Sequence, residues 1–231
     1  MSQKPVLLSI LIYYKNINPN SAKLLTVSYN LGYFSFFQRG SLKELINFFS
    51  RTIVQRSKCN SFHYIDEIDN SDKNSDLNIN YACHLYIQAN ALAAVLISDK
   101  NYNKRVGAML LQKVCENFEK EYPRNSWLDS KENSFSFPKL NDFLKDYEKP
   151  ESADILCKMQ SDLDETKQIL HVTMEKMLEK NEKLQDLVDK SSDLSLQSKY
   201  LYKNRISFYT SILTSPYTPD ETLEHLNKIE I

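Results

Sequence analysis

Lys180 stands out in the stretch MLEKNEKLQDLVDK (177–190), because it falls on a helical face whose other members are mostly apolar. On periodicity alone it is either a long cation that lays its methylenes on apolar surface and keeps its ammonium in water, or a deliberate polar layer inside a helical bundle. A charge in such a layer specifies register and partner choice at a cost in stability. Other residues able to do chemistry are sparse. Cys59 with His63, and Cys83 with His84, carry metal-ligand atoms, but adjacent residues on a strand point to opposite faces, so core cysteines beside half-exposed histidines are expected. His171 flanks Leu170 and His225 lies near the end, neither with a nucleophile spaced to work with it. Asp162, Asp164, Glu165 and Glu175 alternate with lysines and suit the charged surface of a helix. The three glycines, Gly32, Gly40 and Gly107, make neither a phosphate-cradling loop nor a dinucleotide fingerprint. No enzyme activity and no cofactor is expected.

The elements that position Lys180 begin near Ser152. From there to Pro216 no proline or glycine interrupts the chain, and residues recur alternately three and four apart, which is a heptad seam. Its positions are Leu156, Met159, Leu163, Thr166, Leu170, Thr173, Met177, Lys180, Leu184, Leu187, Ser191, Leu194, Ser198, Leu201, Arg205 and Phe208. One phase held this long implies partner helices, and the small seam residues suit a bundle in which other chains supply bulk. The preceding part mixes periods. VLLSILIYY and KLLTVSYN look like strands, and GSLKELINFFSRTIVQR takes helical spacing, with Ser41 as N-cap and Glu44 completing a capping box. SKCNSFHYIDEIDNSDKNSDLNIN, polar in its second half, suits a strand and a loop, with a polar insertion over about 60–78 and an excursion from about Asn70 to Asn78. YACHLYIQANALAAVLISD makes a hairpin broken at Gln88 to Asn90, and helices follow over Asn103 to Tyr122 and Lys139 to Tyr147. The expectation is an α+β domain over 1–147 with an antiparallel sheet, a coiled-coil segment over 152–210 and a tail over 211–231.

Charged residues at 26% and hydrophobic ones at 42% are ordinary for a soluble domain, and a net charge of −1 gives no footprint for nucleic acid. Four scattered cysteines suit a reducing compartment. The N-terminal apolar run is short and ends in Tyr13 and Tyr14, as a first strand does, and no stretch reaches the ~20 apolar residues a spanning helix needs.

SDLDETKQILHVTMEKMLEKNEKLQDLVDKSSDL resembles the SNARE motif of the R-SNAREs, and FSFFQRGSLKELINFFSRTIVQR, AAVLISDKNY and SADILCKMQSDLDETK resemble the longin-domain R-SNAREs of the YKT type. The resemblance covers nearly all of residues 5–210. It implies a longin, profilin-like fold with an antiparallel sheet between helices, followed by a long SNARE coiled-coil helix that joins three Q-SNARE helices in a parallel four-helix bundle during membrane fusion. The layers would be Leu156, Met159, Leu163, Leu170, Met177, Leu184, Leu187, Leu194 and Leu201. It also implies an intramolecular contact, the SNARE segment folding back on the longin face, with Phe48 matching the phenylalanine that the family uses for that closed state.

Three departures from the family pattern matter. The family's central layer carries an arginine, and Lys180 stands in its place. An ammonium offers three donors on a point charge where a guanidinium offers five in a rigid fork, so the register of the bundle is expected to be less sharply set. Ser211 and Ile212 occupy the positions of the family's lipidated cysteines, and no cysteine follows Cys157. Membrane association is therefore expected to be indirect, from the cytoplasm onto Golgi, vesicle or other endomembranes. The last stretch, TPDETLEHLNKI, has the pattern of a short acidic amphipathic helix. The insertion near 60–78 exceeds the family's usual loop. Two functions fit: an R-SNARE in vesicle transport controlled by longin fold-back, or an unanchored regulatory protein that occupies the R position without driving fusion.

Overall fold

The computed structural model describes residues 6–16, 20–66, 81–149, 168–179 and 182–203. Strands β1 (Leu7–Asn16) and β2 (Ser21–Tyr29) pair antiparallel, and helix α1 (Phe36–Arg56) leads from β2 to β3 (Ser61–Asp66). The hairpin of β4 (Tyr81–Ile87) and β5 (Leu92–Asp99) follows, turning through Gln88–Ala91 with Ala91 at a φ of 71°. Helices α2 (Lys104–Glu121), α3 (Asn125–Leu128) and α4 (Lys139–Asp146) complete the first part. The chain then adds strand β6 (Ile169–Thr173) and three short helices, α5 (Met174–Met177), α6 (Leu184–Lys190) and α7 (Leu196–Lys203).

The sheet runs in the order β2-β1-β5-β4-β3-β6. Its inner strands are buried on both faces, which is why β1 and β5 read as nearly unbroken apolar runs rather than alternating ones. One face holds Ile10, Ile12 and Tyr14 against α2, α3 and α4, with Phe118 and Trp127 at its centre. The other holds Leu8, Leu11 and Tyr13 against Leu45, Ile46, Phe49 and Ile53 of α1. The outer end of α1 is tied by the buried Lys15, whose Nζ donates to the carbonyls of Val54 at 3.0 Å, Gln55 at 2.7 Å and Ser57. Those are the carbonyls that a helix C-terminus leaves without intrahelical donors. Burial pushes the Lys15 ammonium below its ordinary pKa.

Three expectations are corrected. Helix α1 starts at Phe36, capped by Ser35, whose N–H donates to Gln38 Oε1 at 3.0 Å; Ser41 and Glu44 lie inside the helix and their side chains serve elsewhere. The five longin strands are antiparallel, but β6 pairs parallel to β3, so the whole sheet is mixed. Residues 61–66 of the expected insertion form β3, and 67–80 lie outside the described residues.

The continuous helix expected from Ser152 onward is also absent among the described residues, which hold a strand and three short helices instead. A lone helix with a heptad stripe has nothing to bury that stripe against, whereas β3 offers an open ladder edge. Val172 and Thr173 are β-branched and accept the extended conformation readily. Downstream, Ser195 starts α7 by accepting the Ser198 N–H at 3.2 Å on its Oγ.

Candidate functional site

Residues 169–179 and 182–203 lie along α1 and the outer edge of β3. Met174, Val188, Leu194 and Tyr202 are buried in the same cluster as Leu45, Ile46 and Phe49 of α1. Tyr202 and Phe49 meet with ring centroids 5.8 Å apart, and Phe49 in turn meets Phe48 edge-on at 5.4 Å. Phe48 is half-buried and touches this cluster rather than forming its centre. Val172, Met177, Leu178, Leu184 and Leu201 pack partly onto it.

Polar tethers fix the register of the cover. Arg56 reaches from the last turn of α1 to Glu182, with Nη1 and Nη2 donating to the two carboxylate oxygens at 2.5 and 2.9 Å, and Nη1 also lies 3.3 Å from the Met177 carbonyl. A bidentate guanidinium–carboxylate pair is the strongest common form of surface ion pair. The hydrogen bond from Arg56, with further help from the Glu179 N–H, holds the Glu182 carboxyl below the usual carboxylate range. Glu44 accepts from the Ser195 N–H at 2.8 Å and the Ser198 hydroxyl at 2.6 Å. Burial pushes the Glu44 carboxyl up, but these hydrogen bonds outweigh it and leave it below its ordinary pKa. On β6, His171 Nε2 lies 2.5 Å from Asp66 Oδ2 of β3.

The seam positions do not form the covered face as a set. Leu194 and Ser198 are buried, Met177, Leu184, Leu187 and Leu201 are half-buried, and Leu170 is 44% exposed. Leu156, Met159, Leu163, Thr166, Lys180, Arg205 and Phe208 lie outside the described residues, as do Ser211, Ile212 and the TPDETLEHLNKI stretch. Three buried residues, Met174, Val188 and Tyr202, each follow a seam position by one residue and were not expected from the heptad. Their signal was present in the sequence as apolar residues off the seam, which a bundle alone leaves on its outside. Arg56, Glu44 and Glu182 carried no such signal, because their pairing depends on how the segment is laid down.

The cysteine and histidine candidates separate. Cys83 faces the α1 side, where burial raises its thiol pKa, while His84 lies under Gly107 on the α2 side with Nε2 2.8 Å from Ser98 Oγ. Burial, then the Lys104 charge, pushes His84 down to about 3. His63 Nε2 lies 2.8 Å from Ser61 Oγ. Among the described residues no three side chains of the metal-binding types gather at one point, and no helix is long and apolar enough to cross a membrane. What the arrangement does is hold one segment of the chain against α1 and β3, through apolar packing and three tethers.

Two family models match the chain. The longin model, a regulated-SNARE-like domain, matches residues 27–144, and the synaptobrevin model matches residues 155–210. The chain is 38% identical over 187 residues to the synaptobrevin homolog ykt6 of Schizosaccharomyces pombe, covering 81% of this chain and 89% of that one. It is 36% identical over 197 residues to the synaptobrevin homolog YKT6 of Debaryomyces hansenii, covering 83% and 93%. The homolog from Saccharomyces cerevisiae is 34% identical over 176 residues, covering 75% and 82%.

Proposed function

Because the chain belongs to the longin-domain synaptobrevin homologues of the YKT6 type, we infer that it is an R-SNARE of vesicle transport whose segment 152–210 zips with three Q-SNARE helices to drive fusion. Lys180 supplies the central layer of that bundle, flanked by Met177 and Leu184. Burial of the remaining layers provides the driving force. The longin domain holds the same segment in reserve, and the protein associates peripherally with Golgi or other endomembranes from the cytoplasm.

The observation that supports this most directly is the double use of one stretch of chain. Leu194 and Ser198 belong to the heptad seam, and both are buried against α1. A four-helix bundle needs those positions for itself, so the two arrangements exclude each other. The balance between them is then a conformational equilibrium, which partner helices shift by binding only the released segment.

The test is the thermal unfolding of residues 152–210 mixed with Q-SNARE helices, followed by circular dichroism, with Lys180→Arg beside the natural sequence. The expected result is a cooperative helical complex that melts well above the separate peptides. Arginine should raise its midpoint by about 4 °C or more, because a fork of five donors reaches three glutamine carbonyls better than an ammonium does. Absence of any helix gain with either residue would remove the fusion function.

A further inference from the structure

The turn between β2 and α1, with the first turn of that helix, carries three exposed aromatic side chains. Tyr33 is 43% exposed, Phe36 79% and Phe37 61%. Scattered single hydrophobics on a surface are normal, but three within five residues form a patch that monomers seldom leave open without use.

This exposure is built into the fold. Leu31 and Phe34, from the same turn, are buried in the α1-side cluster and root it to the domain. The Phe34 N–H closes the turn onto the Leu31 carbonyl at 3.1 Å. Arg39 then ties it from the first turn of α1, its Nε donating to the Phe34 carbonyl at 2.9 Å and its Nη2 to the Gly32 carbonyl at 3.0 Å. With Ser35 and Gln38 capping the helix, the backbone beneath the aromatics is fixed, and Tyr33, Phe36 and Phe37 are held outward by it. Phe36 and Phe37 meet edge-on at 5.8 Å, so they present one surface rather than two separate rings.

The local charge selects the occupant. From Asn30 to Lys43 the chain has no acidic residue and two basic ones, Arg39 and Lys43. The next carboxylate, Glu44, is engaged by Ser195 and Ser198. An aromatic tip with a basic rim matches the headgroup layer of an anionic bilayer, where amphipathic rings sit at the boundary and nearby cations add attraction. We propose that Tyr33, Phe36 and Phe37 form an interfacial wedge that seats in an anionic membrane surface, with Arg39 and Lys43 at its rim. This gives the longin domain a direct membrane contact that needs neither a partner helix nor a spanning segment. It lies on a different part of α1 from the Phe48 and Phe49 region that the segment 169–203 covers.

The test is co-sedimentation of the full chain with phosphatidylcholine vesicles, with and without phosphatidylserine, in the absence of Q-SNAREs, so that its outcome is independent of the fusion function. The natural chain should bind the phosphatidylserine vesicles. Phe36→Ser with Phe37→Ser should weaken that binding at least about ten-fold, and Lys43→Glu alone should weaken it by a smaller factor, while both variants keep the natural melting temperature. A Phe37→Trp variant should show a blue-shifted emission on adding anionic vesicles, whereas the buried Trp127 of the natural chain stays constant. The proposal is overturned if the natural chain does not bind, or if the double serine variant binds equally well. It is also overturned if the natural chain is a dimer that the double variant dissociates, since the patch then serves self-association.

Discussion

Arg56 sits at the last turn of α1 and reaches the chain on both sides of position 180, at the Met177 carbonyl and the Glu182 carboxylate. One guanidinium therefore fastens a residue on each side of the proposed central layer. Arg56→Gln removes the charge and the fork, and the covered state should lose about 1 kcal/mol, or roughly five-fold in the ratio of covered to released chain. The check is the rate of complex formation with Q-SNARE helices, which should rise by a similar factor without a change in the final melting temperature of the complex. Gly107 offers a second test within the longin core. A Cβ there would stand 2.4 Å from His84 Nδ1, and His84 is buried with its other nitrogen on Ser98. Alanine normally gains about 0.5–1 kcal/mol over glycine inside a helix. At this position the clash should reverse the sign and destabilise the domain by about 1–3 kcal/mol, read from chemical denaturation.

Among the elements, residues 169–173 have the most unusual task, since they form a strand on β3 yet belong to a segment whose heptads demand a helix. Val172 favours the strand through its β-branch and is off the seam, so its side chain matters to the covered state and little to the bundle. Val172→Ala trades strand preference for helix preference and should speed complex formation about two- to five-fold, measured by mixing the full chain with Q-SNARE helices. The same stretch marks the limit of legibility. Strands β1, β2, β4 and β5 and helices α2 and α4 were readable because their apolar periods match the faces they bury. The start of α1 was missed because Phe36 and Phe37 are exposed and add nothing to the inward stripe, while Ser35 and Gln38 do the capping assigned to Ser41 and Glu44. The strand β6 was unreadable because a heptad records the arrangement of the proposed bundle, and the covered one leaves only faint marks, such as Met174 and Val188 beside the seam.

For the whole molecule, acid should separate the longin core from its cover. The Glu44 carboxyl of α1 and the Glu182 carboxyl of the cover are both held below the ordinary 4.5 while they are paired, so the released state, in which both return to ordinary values, takes up protons first. Their contribution to the covered state is complete above about pH 4.5 and is lost as pH falls through the lower folded values. His84 is held near 3 from 6.5, so the folded core favours its neutral form, and core stability declines as pH falls below about 6.5. Melting temperature should therefore begin to drop near pH 6, while the Ser198 amide resonance should keep its covered-state shift until below about pH 4.5. The parallel pairing of β6 on β3 has one more effect, which concerns behaviour in a crowded solution. Among the described strands β6 is all that lies beyond β3. When it leaves, the amides and carbonyls along Ser61–Asp66 face solvent as an unprotected template, beside the β-favouring Phe62, Tyr64 and Ile65. Release for the proposed zipping should thus create an aggregation-prone intermediate, and variants that favour release should scatter light at concentrations where the natural chain stays clear.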